Sequence, residues 1–298
     1  MTNRQLILVV KENFMNEKPR IPEIPKVYYR ILFVASALIL TLIRYLSFDH
    51  SETLHPFVKT GDVETVRALI TKGAHVNTQT TQGATPLHFA AQKGSLPITK
   101  LLLENGADLQ ARYQHIWTPL HLAVQEGHED LTKFLLAQGA MLNSQKNEFT
   151  PLHIAAQQNH LNIARILLTY QANIHAQYRN GWTPLHLSAQ EGHSQMVNFL
   201  LQHGAHIEAQ NALGMTPLHC AAQLGRLDVI QVLLKHGADP TKQDTTGQTP
   251  KQLAITFQHD EASQLLNEPF DTKRPFNVEL LAIPTYDSSI LLTKTSDF

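Results

Sequence analysis

TPLHFAAQKGSLPITKLLLENGAD, residues 85–108, carries the reading of the fold. Thr85 is a good helix N-cap, and Pro86 suits the first helical position, where a missing N–H costs no hydrogen bond. The small pair Ala90-Ala91 lets that helix approach its neighbours closely, and Gly94 ends it. A second stretch carries Leu101-Leu102 and stops at Gly106. The segment reads turn, helix, turn, helix. Thr-Pro-Leu-His returns at Thr118, Thr150, Thr183 and Thr216, and a damaged copy, Thr-Pro-Lys-Gln, starts at Thr249. The steps are 33, 32, 33, 33 and 33 residues. One step of 33 back from His88 lands on His55, inside a degenerate Glu-Thr-Leu-His. Residues 52–268 therefore divide into seven units. All 14 glycines fall on three positions of the unit, where a helix ends or a turn tightens. A single unit cannot bury its own apolar face, so neighbouring units must stack.

The pattern Thr-Pro-Leu-His-x-Ala-Ala-x-x-Gly, followed by Leu-Leu-x-x-Gly-Ala-Asp, resembles the ankyrin repeat over residues 52–268. The resemblance implies an all-α repeat solenoid of antiparallel helix pairs, with β-hairpin fingers projecting at right angles. Fingers and first helices would lie on a concave side. It also implies protein binding without chemistry: no enzyme, no cofactor and no metal. The five repeat histidines, His88, His121, His153, His186 and His219, would bridge neighbouring turns by hydrogen bonds.

Departures from the pattern mark expected weak points. Asn159 and Gln171 stand where other units place glycine, both in the fourth unit. Asn tolerates the left-handed conformation, and Gln does so less readily. The third unit lacks one residue between Ala140 and Thr150, and the seventh carries Lys251-Gln252 for Leu-His, as a polar terminal cap would.

Composition narrows the function classes. Of 298 residues, 24 are basic and 25 acidic, for a formal net charge of -1, and 43 % are hydrophobic. That excludes a disordered chain and argues against nucleic acid as partner, since phosphate tracking needs clustered Lys and Arg. The single Cys220 permits no intramolecular disulfide and no Cys-based zinc site. Together with the missing Asn-x-Ser/Thr sequon, it favours an intracellular, reducing compartment. Cys220 occupies a core register shared with Leu122 and Ile154, with no base beside it.

Two ends fall outside the repeats. In residues 1–51, the run 31–43 has no charge and is bracketed by Arg30 and Arg44. Extended to 27–48, with both arginines snorkelling, it reaches membrane-spanning length and gains flanking aromatics. The alternatives are a helix capping the first unit over Phe57 and Val58, or a signal peptide, for which no Ala-x-Ala site follows the run. The basic residues Lys18, Arg20, Lys26 and Arg30 would place the repeats outside by the positive-inside rule, against the compartment reading above. The tail, 269–298, has no repeat pattern and reads as a loosely ordered extension able to dock on the last unit.

His55-Pro56-Phe57 resembles the opening of the Fic-type AMP-transferase motif, but its glycine comes one position late and the motif's Asn, second Gly and Arg are absent. His203 and His236 share one register in adjacent units without a third ligand nearby in sequence. The position before each Thr-Pro is more informative. It runs Ala84, Trp117, Phe149, Trp182, Met215, Gln248 and holds both tryptophans of the chain. Tyr113 and Tyr178 precede the tryptophans by four residues, with His115, Arg179 and Asn180 as polar tips. Such a stripe is either a binding hot spot or finger-on-finger packing. Gln92, Gln125, Gln157, Gln190 and Gln223 form a second stripe on the first helices, explained equally by function or by repeat duplication. The combined expectation is a monomeric interaction scaffold that binds a protein partner through Tyr113, His115, Trp117, Phe149, Tyr178, Arg179, Trp182 and Met215. The alternatives are a microbial effector acting in a host cell and, less favoured, an enzyme with its centre in one of the short ends.

Overall fold

A computed structural model describes residues 54–114, 116–142 and 148–267. The described helices come in pairs: α1 (His55–Thr60) with α2 (Val63–Thr71), α3 (Pro86–Lys93) with α4 (Leu96–Glu104), and α5 (Pro119–Gln125) with α6 (Glu129–Ala137). Then follow α7 (Pro151–Gln157) with α8 (Leu161–Thr169), α9 (Pro184–Glu191) with α10 (Ser194–Gln202), α11 (Pro217–Gln223) with α12 (Leu227–Lys235), and α13 (Pro250–Thr256) with α14 (Asp260–Leu265). The candidate segment 27–48, all of 1–51 and the tail 269–298 lie outside the described residues. Among the described residues no helix is long and apolar enough to cross a membrane.

Helices of six to nine residues are marginal alone, so packing must hold them. Each first helix packs on the first helices of adjacent units, from α1 on α3 through to α11 on α13. Second helices do the same, as α8 does with α6 and α10. Ala90, Ala123, Ala155, Ala189 and Ala221 are fully buried on the first helices, and Leu102, Leu135, Leu167, Leu200 and Leu233 on the second. One apolar core runs from Ala91 to Leu266.

The expected Thr-Pro starts form as read. Thr118, Thr150 and Thr183 adopt extended backbone, and each side-chain oxygen accepts from the N–H three residues on. In the seventh unit Gln252 takes over from histidine, and its Oε1 accepts from the Thr249 N–H at 2.8 Å. The damaged copy is thus still a capping box. Gly94 is required for space as well as for its φ of 75°: a Cβ there would lie 2.6 Å from the His128 ring. Asn159, Gln171 and Gln258 stand at glycine positions with φ of 58°, 66° and 62°. The left-handed backbone expected at the two fourth-unit departures is present.

The helical solenoid is as expected, but its fingers are shorter than β-hairpins. Among the described residues they contain isolated bridges, Tyr113 with Trp117 and Tyr178 with Trp182, instead of strands. The link from second helix to next Thr-Pro is short, and a turn with positive φ at Gly83, Gly181, Gly214 or Gly247 occupies most of its tip. One closing residue pair fits beneath the turn. In three fingers it is Thr80 N–H to Ala84 O, Asn211 N–H to Met215 O and Asp244 N–H to Gln248 O, at 2.9–3.1 Å.

Candidate functional site

The finger stripe is positioned from behind. In five units the repeat-histidine Nδ1 accepts from the backbone N–H of the capping threonine, at 3.1 Å for Thr85 and 3.2 Å for Thr118. A backbone N–H can only donate, so the proton of the neutral ring resides on Nε2. That Nε2–H donates to a carbonyl of the next finger: His88 to Trp117 at 3.0 Å, His121 to Phe149 at 2.9 Å, and His153 to Trp182 at 3.1 Å. His186 donates likewise to Met215 at 3.0 Å, and His219 to Gln248 at 3.2 Å. Every carbonyl held belongs to a stripe residue. Burial holds His121, His153 and His186 neutral, depressing each to about 4.

His55 joins this ladder, its Nε2–H donating to the Ala84 carbonyl at 3.2 Å. Gly61 closes α1 with a φ of 86°. The His-Pro-Phe sequence is thereby absorbed by the fold. Cys220 is buried, and burial pushes its thiol up to about 12, so it is no nucleophile at neutral pH. His203 bonds the Phe199 carbonyl of its own helix, and His236 bonds Asn198 Oδ1. Among the described residues no group of three or more His, Cys, Asp or Glu is arranged to hold a metal ion.

On this frame the finger side chains form two clusters. Trp117 meets Phe149 edge-on, with centroids 6.4 Å apart, and Phe149 meets Tyr178 at 4.7 Å. All three rings are half-buried, so each keeps a face or edge in solvent. Tyr113 hydroxyl donates to Gln82 Oε1 of the preceding finger at 3.1 Å. Arg179 is exposed, its guanidinium 5.3 Å from the Tyr178 ring centre. Trp182 leaves this group and packs against Met215, Cys220 and Leu253.

Two expected site residues fare differently. His115 lies outside the described residues. Met215 is 7 % exposed and belongs to the core, which leaves little of it for a partner to touch. In this finger Asn211 Oδ1 accepts from both the Leu213 and Met215 N–H groups. Leu213 takes the outward position instead, at 57 % exposure. Its register, shared with Asn180 and His115, was the available signal.

A second ladder escaped the sequence reading. His128, His160 and His193 open α6, α8 and α10, and each Nε2–H donates to a carbonyl at the end of the preceding first helix. The acceptors are Gln92 at 3.0 Å, Gln125 at 3.2 Å and Gln157 at 2.9 Å. Arg226 Nε donates to the Gln190 carbonyl at 3.0 Å in the same way. The glutamine stripe is thus tied to the stack through its backbone. The side chains of Gln92 and Gln125 are exposed.

These features define a helical repeat solenoid whose fingers, pinned by a buried ladder, carry a variable surface. Family models for ankyrin repeats match residues 36–113, 112–178, 168–244 and 211–278. The chain belongs to the ankyrin repeat family. Among solved structures it is similar to the crystal structure of the human ASB11 ankyrin repeat domain, with a TM-score of 0.67 and 30% identity over 73% of this chain and 99% of that one. No curated protein matches the chain. Ankyrin repeats are a protein–protein interaction module, and the fold is typically a non-catalytic binding scaffold.

Proposed function

We propose that the chain is a non-catalytic scaffold that holds a protein partner against its finger face. Residues 52–268 form the binding solenoid, with 1–51 and 269–298 as extensions. The contact residues are Tyr113, His115, Trp117, Phe149, Tyr178, Arg179 and Trp182, with Leu213 taking the place of Met215. One observation carries the reading: Trp117, Phe149 and Tyr178 touch across three successive fingers, and each keeps part of its ring exposed. Partly desolvated aromatic rings held rigid beforehand are what binding hot spots use. The single buried thiol and the absent sequon support an intracellular site of action. Tethering through residues 27–48 is a further proposal that rests on the uncharged run alone. No residue supports the effector alternative specifically.

Proximity labelling with the full chain, compared with the Trp117→Ala/Trp182→Ala variant, tests the reading. The expected result is a set of labelled proteins lost in the variant while its helical circular dichroism persists. An unchanged set of labelled proteins would place the binding surface elsewhere.

A further inference from the structure

The partner's chemistry follows from Arg179, the one described finger-tip charge without a partner in its own fold, and rests on the finger face being the binding surface. The described tip residues are Thr81, Gln82, Gln114, Arg179, Asn180, Ala212, Leu213, Thr245 and Thr246, of which Arg179 alone is charged. The other guanidinium near the row, on Arg112, is already paired with Glu148 at 2.8 Å. The carboxylate of Asp244 is engaged too, accepting from the Thr246 and Gln248 N–H groups at 2.8 and 3.0 Å. Arg179 has no carboxylate partner among the described residues.

The guanidinium is also presented on a fixed support. Tyr178 and Trp182 close the turn with mutual backbone bonds at 2.7 and 2.9 Å, and the Arg179 carbonyl accepts from Trp182 N–H at 3.2 Å. The next residue, Asn180, accepts from Ala212 N–H at 2.6 Å, which ties the turn to the following finger. The Tyr178 ring flanks the cation and leaves its N–H fork facing solvent. Exposed Leu213 lies on that following finger, and the half-buried rings of Phe149 and Trp117 continue the surface on the other side.

We infer that this face binds an extended acidic–apolar peptide segment, in which an Asp or Glu carboxylate takes the Arg179 fork while flanking large apolar side chains lie on the rings and on Leu213. A planar guanidinium pairs with a carboxylate through two parallel hydrogen bonds, and a ring beside it reduces the hydration to be displaced. An acidic segment meets no unpaired carboxylate on the described part of the row, whereas a basic one would face Arg179 unopposed.

The test is selection of a phage-displayed random dodecapeptide library on the immobilised full chain, then anisotropy titration of a chosen labelled peptide. The wild type should enrich peptides carrying Asp or Glu next to Leu, Phe or Trp. Arg179→Gln should weaken the chosen peptide by roughly tenfold or more at low salt, with the gap shrinking as salt rises. Selection on Arg179→Glu should lose the acidic preference. Arg179 is exposed and outside the core, so both variants should melt like the wild type. Absence of any enriched peptide, enrichment without acidic residues, or equal binding by Arg179→Gln would overturn the inference. If Trp117→Ala and Trp182→Ala lower affinity while Arg179→Gln does not, the acidic contact alone falls. If all three variants bind the peptide as the wild type does, the finger face itself is the wrong surface.

Discussion

Behind each finger residue stands a histidine of the preceding unit, and the two positions vary in opposite ways. The ladder repeats one residue type from His55 to His219, while the carbonyls it holds belong to Ala84, Trp117, Phe149, Trp182, Met215 and Gln248. A hydrogen bond to a main-chain carbonyl is indifferent to the side chain beside it. The ladder can therefore fix the finger backbone while the finger side chain changes freely. Stability and recognition are assigned to adjacent residues of one motif, and that separation can be attacked from either side.

The largest expected effect is on the ladder as a whole. A neutral buried imidazole that titrates near 4, against about 6.5 in the unfolded chain, contributes fully above pH 6.5. As pH falls from 6.5 towards 4, the unfolded chain takes up protons that the folded one refuses, and the contribution is lost. Below 4 nothing further is lost from these groups. At 1.36 kcal/mol per pH unit, His121, His153 and His186 each give on the order of 3 kcal/mol across that window. Thermal melts between pH 7 and pH 4 should show a steep fall in melting temperature. A flat profile over that range would mean that the rings are not buried neutral.

His153→Ala is the next largest. It removes the ring's bonds to the Thr150 N–H and to the Trp182 carbonyl, which keeps its bond from Tyr178 N–H, and leaves a cavity where the fully buried ring was, which together should cost about 3 kcal/mol. His153→Gln should cost less, because Gln252 already fills the capping role in the seventh unit. Gln is too short to reproduce the reach to the next finger as well. If both variants melt alike, the side-chain bond to the Thr150 N–H adds nothing to stability, and the loss comes from the bridge to Trp182 and the packing of the ring.

The two tryptophans sharpen the separation. Trp117 lies in the half-buried ring cluster and packs on the edge of the main core, whereas Trp182 covers Met215, Cys220 and Leu253. Trp117→Ala should weaken partner binding by about 2 kcal/mol, beyond whatever melting temperature it loses at the core edge. Trp182→Ala should lower the melting temperature as well, by exposing that small cluster. The reverse order, measured by affinity and calorimetry on the same preparations, would move the recognition surface toward units five to seven.

The repeat period made most of this legible. Unit boundaries, Thr-Pro caps and the left-handed residues in the fourth unit all follow from register, because a residue at a repeat position inherits that position's backbone. The orientation of Met215 did not follow. Met215 packs beside Cys220 and Leu253, residues of two later helices that register within one finger does not bring to it. Nor did the second ladder. His128, His160 and His193 start helices where Ser, Thr, Asp or Asn would be expected. Their purpose lies in a carbonyl some 35 residues earlier in the chain. Such a partner is visible only once the units are stacked.

The smallest expected effect concerns the fourth unit. Gln171 follows α8 with φ at 66°, where five other units place glycine at φ between 82° and 94°. A side chain in that region is strained by about 1 kcal/mol, and glycine relieves the strain at some entropic cost in the unfolded chain. Gln171→Gly should therefore raise stability by a few tenths to about 1 kcal/mol, read as a small rise in melting temperature. Its N–H already bonds the Leu168 carbonyl at 3.0 Å, so the substitution keeps the turn's backbone closure. The site lies at the end of a second helix, away from Trp117 and Phe149, so partner affinity should stay unchanged. A gain in stability accompanied by weaker binding would show that strain at Gln171 sets the position of the Tyr178–Trp182 finger. Stability and recognition would then be coupled at this unit.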